Sequence, residues 1–199
     1  GTTAGGPAIA FAGWSATTTT PAGTQLQSAE AACEKDTPSV VSLTPMITET
    51  RGPYSMLVWD AGERVIVCIG GAQGTLFCAV VRPVRTTALD PDAIAPESFG
   101  FDIAAAQQGQ SAAIDGRVGA NVTSVTLLLD DGSSVQTTVD NGWFAAWWPG
   151  SPAAIRSAEI TTAAGTTTEP LNVPAPPPPV LPAGGATSGS GASGGTPTH

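Results

Sequence analysis

Residues 116–150 read GRVGANVTSVTLLLDDGSSVQTTVDNGWFAAWWPG, and this stretch carries the clearest fold signal in the chain. Its apolar residues fall mostly at alternate positions, the spacing of a strand with one buried and one solvated face. Turn residues at 130–132 and 141–142 divide it into short segments at the spacing of a β-sandwich. The alternating residues are Val122, Val125, Leu127 and Leu129, followed by Val135 and Val139 around the polar Gln136 and Thr138.

Short runs rich in β-branched and aromatic residues continue on both sides of this stretch, each bounded by turn residues. The predicted strands are VVSL (40–43), YSMLVW (54–59), RVIVCIG (64–70), TLFCAVV (75–81), SFGFDIAA (98–105), SAAIDGRV (111–118), TSVTLLLD (123–130), SVQTTVD (134–140), GWFAAWW (142–148), AIRSAEITTA (154–163) and TTTEPL (166–171). Turns at 60–63 and 70–74 predict an antiparallel meander of three strands. A loop centred near Gln73 would bring Cys68 opposite Cys78.

The remaining segments complete the predicted organisation. Leu26, Ala29 and Cys33 lie at helical spacing within residues 21–35 and predict one short helix. The first 20 residues form an N-terminal arm, which is small and polar except for Ile9, Phe11 and Trp14. These three residues would dock on the domain as an edge strand or as a packed arm. Residues 82–96, with three prolines, form a long connection. From residue 174 the chain is rich in Pro, Gly and Ser and predicts a disordered tail.

The predicted fold class is therefore mainly β, with antiparallel sheets, an Ig-like sandwich in the C-terminal half and one short N-terminal helix. Residues 1–95 hold the arm, the helix and the meander. Residues 96–173 form the sandwich-like half, packed on the first. Residues 174–199 are the disordered tail.

Composition and charge restrict the classes of function. Only 12% of the 199 residues are charged, against about 25% in a typical domain. The formal net charge of −9 repels phosphate backbones, so no nucleic-acid partner is expected. No segment has the apolar length of a membrane helix, so we expect no direct membrane insertion. The sparse charge and the start at Gly1 favour an exported, processed chain.

Few residues are suited to catalysis. The only histidine is His199, in the predicted tail, so a nucleophile–histidine site and a histidine-ligated metal are not expected. Paired carboxylates could still serve a hydrolase, but Asp in such sequences mostly serves turns. We predict no catalytic, cofactor or metal site. The candidate carboxylates are Glu49, Asp60, Glu63, Asp102 and Asp115.

The run Trp143-Phe144-Ala145-Ala146-Trp147-Trp148 is the most distinctive local feature. On a strand, Trp143 and Trp147 share one face, and Phe144 and Trp148 share the other. We expect Trp143 or Phe144 to be in the core and the second face to be covered by the arm or by residues 82–97. An outward pair from Trp143, Trp147 and Trp148 would instead contact a sugar or a protein partner.

Two further sets of residues are candidates for structural bonds. Arg51 and Arg117 each lie beside a glycine and are expected to pair with acidic residues between the two halves. The three cysteines leave one thiol over if a disulfide forms. Cys33–Cys68 and Cys68–Cys78 are both feasible pairs, and three reduced thiols are the alternative.

Three motifs together resemble a group of uncharacterised actinobacterial exported or membrane-anchored proteins. They are GWS at 13–15, RGPY at 51–54 and the stretch 116–150. The resemblance implies an envelope location and a Cys33–Cys68 disulfide, with Cys78 as a departure from the pattern and a buried free thiol. It implies no known activity.

The resulting prediction is a non-enzymatic, extracytoplasmic module of a membrane-anchored envelope protein, serving in sensing or scaffolding. Its partner would be an unknown envelope protein or a glycan, and it would need no cofactor. The alternatives are a carbohydrate-binding module that uses the aromatic residues of 143–148 and a carboxylate-dependent hydrolase.

Overall fold

The computed structural model describes residues 13–81, 88–102, 111–151 and 154–171. In this part of the chain one helix, α1 (Gly23–Asp36), is followed by a 3-10 turn at Pro38–Val40 and then by strands. The strands are β1 (Ile47–Arg51), β2 (Tyr54–Asp60), β3 (Val65–Gly71), β4 (Gly74–Val81), β5 (Ile94–Asp102), β6 (Ser111–Val118), β7 (Val122–Leu129), β8 (Ser134–Gln136), β9 (Thr138–Asp140), β10 (Trp143–Pro149), β11 (Ile155–Thr162) and β12 (Gly165–Pro170).

These strands form three four-stranded antiparallel sheets. Sheet A has the order β1-β2-β3-β4, sheet B the order β5-β6-β10-β9, and sheet C the order β12-β11-β7-β8. The prediction of a mainly β fold with one helix is confirmed. Sheets B and C together make a two-sheet sandwich, while the Ig-like topology stays a prediction.

The layers stack in the order α1, sheet A, sheet B, sheet C, as three apolar clusters show. One cluster lies between α1 and sheet A and includes Cys33, Leu57 and Trp59. A second joins the other face of sheet A to sheet B, and a third joins the opposite face of sheet B to sheet C. Sheet B is therefore covered on both faces, which explains why β10 is apolar at every position from Trp143 to Trp148.

The chain passes from sheet C to sheet B at Thr137. The sequence predicts one strand over 134–140, but β8 pairs with β7 and β9 pairs with β10. Thr137 lies between them, and its backbone N–H and its hydroxyl both donate to the Val125 carbonyl, at 3.0 and 2.9 Å. These bonds fix a corner that joins the two sheets of the sandwich.

Two hairpin turns confirm the turn signals. Asn141 and Gly142 have φ values of 49° and 78°, and they join Asp140 directly to its cross-strand partner Trp143. Two positive φ values are the signature of the type I′ turn that Asn-Gly favours. Cys68 lies directly opposite Cys78 in the β3–β4 pair, as the loop near Gln73 predicts.

The prediction of a strand at 40–43 is wrong. Pro38 begins a 3-10 turn there, and Val41 is 63% exposed. The first strand lies later, at β1, whose sequence ITETR is mostly polar. The predicted connection at 82–96 is also too long, since β5 already begins at Ile94.

The arm is packed where it is described. Trp14 contacts both apolar clusters beside sheet B, and its Nε1–H donates to the Trp147 carbonyl at 3.2 Å. The Ala16 carbonyl accepts from Gln136 at 3.0 Å, and Thr19 forms a bridge with Thr50. Ile9, Phe11 and the predicted tail at 174–199 lie outside the described residues.

Within the described residues, no helix has both the length and the apolar character needed to cross a bilayer.

Candidate functional site

The aromatic strand is in the core. Trp143 and Trp147 pack with sheet A, and Phe144 and Trp148 pack with sheet C, so the predicted division of the rings between two faces is confirmed. Trp143, Trp147 and Trp148 are 6%, 0% and 1% exposed. A ring that stacks on a sugar needs an open face, and these rings have none.

The expected cover for the second face of this strand is correct only in part. The arm contributes Trp14 beside Trp147, but whole sheets cover both faces of β10. The sequence does not show which sheets cover the two faces, because sheet-on-sheet packing joins residues that are far apart in the chain. A strand that is apolar at every position is the signal that both its faces are buried.

A fully buried ion pair joins the layers. The Nε–H of Arg51 donates to Glu49 Oε1 at 2.6 Å, and both side chains are 0% exposed. Glu49 also accepts from the backbone N–H of Trp147 at 3.1 Å and of Thr138 at 3.3 Å. Burial raises the pKa of the Glu49 carboxyl, while the Arg51 charge and these hydrogen bonds act against that shift. We call this group the Glu49–Arg51 hub.

The guanidinium of Arg51 extends the hub to other segments. It donates to the Ser15 carbonyl at 3.0 Å and to the Gln136 carbonyl, and it lies 5.9 Å from the centre of a Trp14 ring. The hub therefore links sheet A to sheets B and C and to the arm. Because each bond goes to backbone or to the paired carboxylate, the role it supports is structural.

Two buried carboxyl groups lie on neighbouring strands of sheet B. Asp115 on β6 is 1% exposed, and Glu97 on β5 is 7% exposed. Burial, and then the negative charge of Glu97, raise the pKa of Asp115 to about 7. The Nε–H of Arg117 donates to Glu97 at 3.1 Å. Sequence reasoning named Asp115 but missed Glu97, which lies in a β-bulge between Pro96 and Ser98.

The expected pairing of Arg51 and Arg117 is correct, but both acidic partners lie in the same half as their arginine. Arg51 pairs along its own strand with Glu49, and Arg117 pairs with Glu97 on the neighbouring strand. Between the halves, Arg51 donates to the Gln136 carbonyl, and Glu49 accepts from the backbone N–H groups of Trp147 and Thr138.

The other candidate carboxylates belong neither to the Glu49–Arg51 hub nor to the Asp115–Glu97 pair. Asp60 is exposed and accepts from the Gly62 N–H at 2.8 Å, which is a turn role. Glu63 is exposed in the same loop. The side chain of Asp102 lies outside the described set.

The three cysteines form one cluster between α1 and sheet A. Cys33, in the last turn of the helix, and Cys68 are both 0% exposed, while Cys78 is half-buried rather than buried as expected. All three sulfur atoms lie within 4.8 Å of one another. Cys68 lies between the other two cysteines, with Cys33 on the docked helix and Cys78 on the neighbouring strand. Since a sulfur forms one disulfide only, Cys68 can bridge to Cys33 or to Cys78, and the third sulfur then lies beside the bridge.

The backbone distances differ between the two bridges. The Cα atoms of Cys33 and Cys68 are 5.9 Å apart, inside the usual range of about 4.4 to 6.8 Å. Those of Cys68 and Cys78 are 4.1 Å apart, as expected for a close cross-strand pair. The backbone therefore favours Cys33–Cys68, the pair that the family resemblance also implies.

The close approach of α1 to β3 depends on a glycine. A Cβ atom on Gly70 would lie 2.7 Å from the Ala29 carbonyl oxygen and 3.0 Å from Cys33 Sγ. Any larger residue would push the helix off the sheet and move Cys33 away from Cys68. The side chain of Asp36 holds the helix end from the other side by accepting a hydrogen bond from Thr75 on β4.

The same cluster is the one grouping among the described residues whose atoms are placed to ligate a metal ion. Three thiolates could bind zinc if all were reduced and a fourth ligand were supplied. A disulfide consumes two of them, so the bridged cluster does not fit a metal.

In comparisons with protein families, with characterised proteins and with solved structures, the chain matches none. The family resemblance in the sequence stays a prediction.

Proposed function

We propose that this chain is a non-enzymatic, extracytoplasmic module of a cell-envelope protein, with a scaffolding role. The observation that carries the proposal is the cysteine cluster, which allows a covalent bridge between α1 and sheet A. Disulfides form and persist in oxidising compartments and are rare in the cytosol. A fold that brings cysteines together for a disulfide therefore supports an extracytoplasmic location.

The packing supports scaffolding over catalysis. Sheet B is covered on both faces, and the Glu49–Arg51 hub links three sheets and the arm through buried hydrogen bonds. Such a network gives a rigid body. The outer face of sheet C carries polar side chains in register, and this is the face we assign to a partner in the envelope, a protein or a glycan. Its members include Thr126, Glu159, Thr161, Thr166 and Thr168.

Two other functions have less support. The carbohydrate-binding alternative depends on rings of 143–148 that are in the core. The hydrolase alternative has the Asp115–Glu97 pair, in which one carboxyl has a raised pKa. Both carboxyls are shielded from solvent, so a substrate would not reach them without opening the sandwich.

The proposal is tested on intact cells that produce the protein, with externally added protease and an antibody against the chain. We expect degradation without lysis, while a cytosolic control protein survives. Degradation only after lysis would overturn the proposed location. A ligand screen is the separate test of role, and turnover of any glycosidic or ester substrate that is lost in Asp115→Asn would overturn the non-enzymatic assignment.

A further inference from the structure

The cysteine cluster has the arrangement of a relay, with one sulfur between two others. Cys68 and Cys78 are directly opposite on neighbouring strands, so their side chains lie on the same face of sheet A. That face is the one covered by α1, which brings Cys33 onto Cys68 from above. The sulfur of Cys68 is thus within reach of both neighbouring sulfurs.

The three sulfurs also differ in access to solvent. Cys33 and Cys68 are 0% exposed, while Cys78 is half-buried on an outer strand of sheet A. A reagent from solution meets Cys78 first. When Cys33 and Cys68 are bridged, Cys78 is the remaining thiol, and it lies against the bridge.

We propose that Cys33, Cys68 and Cys78 form a thiol–disulfide exchange site, in which Cys68 transfers its bridge between Cys33 and Cys78, and Cys78 reacts with external disulfides. The proposal does not depend on the scaffolding role. The external substrate class is a small-molecule disulfide.

The internal step conserves electrons and needs no added oxidant. The Cys78 thiolate attacks Cys68 Sγ, the Cys33–Cys68 bond breaks, and its electron pair leaves on Cys33 Sγ. Cys33 takes up one proton, in place of the one that Cys78 has lost. The reverse step restores the first bridge.

The external step is a mixed-disulfide exchange. The Cys78 thiolate attacks one sulfur of the external disulfide, forms a Cys78 mixed disulfide and releases the other half as a thiol. In the reduced protein, Cys68 then attacks Cys78, releases the second thiol and forms Cys68–Cys78. Cys33 next attacks Cys68, which moves the bridge inward and frees Cys78 for another cycle of attack.

Moving the bridge changes what holds α1. With Cys33–Cys68 formed, the helix is covalently tied to β3. With Cys68–Cys78 formed, the tie lies within sheet A, and α1 is held by its apolar contacts with Leu57, Trp59 and Ile66 and by the Asp36–Thr75 hydrogen bond.

The test reacts the reduced protein with DTNB, an aromatic disulfide, and counts the coloured thionitrobenzoate that is released. The relay predicts release equal to the three cysteines of the chain, ending with a Cys33–Cys68 bridge and a label on Cys78. The matched Cys33→Ser variant should stop one equivalent earlier, with Cys68–Cys78 bridged. In Cys78→Ser the initial rate should fall about tenfold or more, because only buried sulfurs remain. A wild-type reaction that stops at Cys68–Cys78, or an unchanged rate in Cys78→Ser, would overturn the relay.

A second measurement uses the oxidised wild-type protein and does not require the reduced chain to stay folded. After incubation at pH 8 with a trace of glutathione, acid trapping and alkylation, trypsin cleaves after Lys35 and Arg64 and chymotrypsin after Phe77, which places each cysteine in its own peptide. We expect both bridges, with the label divided between Cys78 and Cys33. One bridge alone, under every incubation, would contradict exchange.

Discussion

Glu49 and Arg51 form an ion pair along a single strand, with 2.6 Å between Arg51 Nε and Glu49 Oε1 and with both side chains fully buried. The pair holds three sheets and the arm through its other hydrogen bonds. We expect Arg51→Met to lower the free energy of unfolding by about 3 to 5 kcal/mol, because it leaves a buried carboxylate without its partner. Urea denaturation measures this loss.

The double variant Glu49→Gln/Arg51→Met is the matched control for that prediction. It removes both charges, so it should be more stable than Arg51→Met alone. Arg117→Met tests a more exposed ion pair, in which solvent screening reduces the loss. Equal losses in the single and double variants would show that the buried charge is not the cause.

The raised pKa of Asp115 predicts a pH dependence of stability. The carboxyl titrates near 7 when folded and near the ordinary value of 3.8 when unfolded. Between these values the folded chain holds a proton that the unfolded chain has lost, so stability falls as pH rises through this window. The slope from this group is at most about 1.4 kcal/mol per pH unit. Glu49, whose pKa is also raised, acts in the same direction.

Asp115→Asn checks this assignment, because the amide does not titrate. Urea midpoints at pH 5 and pH 8 should differ less in the variant than in the wild type. The stability of the variant relative to the wild type should therefore be higher at pH 8 than at pH 5. Identical pH slopes for the two proteins would mean that Asp115 is ionised in the folded state across the whole window.

The buried aromatic strand predicts large losses of stability. Phe144→Ala and Trp147→Ala should each cost about 3 to 5 kcal/mol, since both side chains are 0% exposed in separate clusters. Thr168→Ala, on the exposed strand β12, is the control and should change stability by less than about 0.5 kcal/mol. If thermal melts of the aromatic variants matched the control, these rings would not be core residues.

Gly70 predicts a loss from adding a single methyl group. Gly70→Ala places a Cβ against the Ala29 carbonyl oxygen and Cys33 Sγ, and we expect a cost of about 1 to 3 kcal/mol. Gly23→Ala, at the start of the same helix, has no atom within 4 Å of the new Cβ. It should be neutral or slightly stabilising. Thermal melts of the two variants should therefore separate, and equal melts would place α1 farther from β3.

Local patterns predicted much of this fold. The strand at 111–118 matches β6 at both ends, and the Asn141-Gly142 turn is where its dipeptide places it. Residue alternation and turn chemistry are local, so the sequence carries them directly. The same reasoning missed β1, because Glu49 and Arg51 are polar in the sequence and buried only as a pair.

The parts that failed depend on contacts between distant segments. The two faces of Trp143–Pro149 could be assigned from alternation, but not the sheets that cover them. Glu97 gave no signal because its environment comes from a β-bulge and from Asp115 on the next strand. Only part of the cysteine cluster follows from local sequence patterns. The hairpin turn predicts that Cys68 lies opposite Cys78, whereas the position of Cys33 depends on how α1 packs on sheet A.

We propose a disulfide-bridged module of the cell exterior, and the most direct test of that proposal is a thiol count on the protein from the cells that make it. Cells are quenched in acid, the denatured chain is alkylated without reduction, and its mass gives the number of labelled cysteines. We expect one label per chain, since Cys68 is bridged to one of its two neighbours. Three labels on every chain would mean reduced cysteines in the cell and would contradict it.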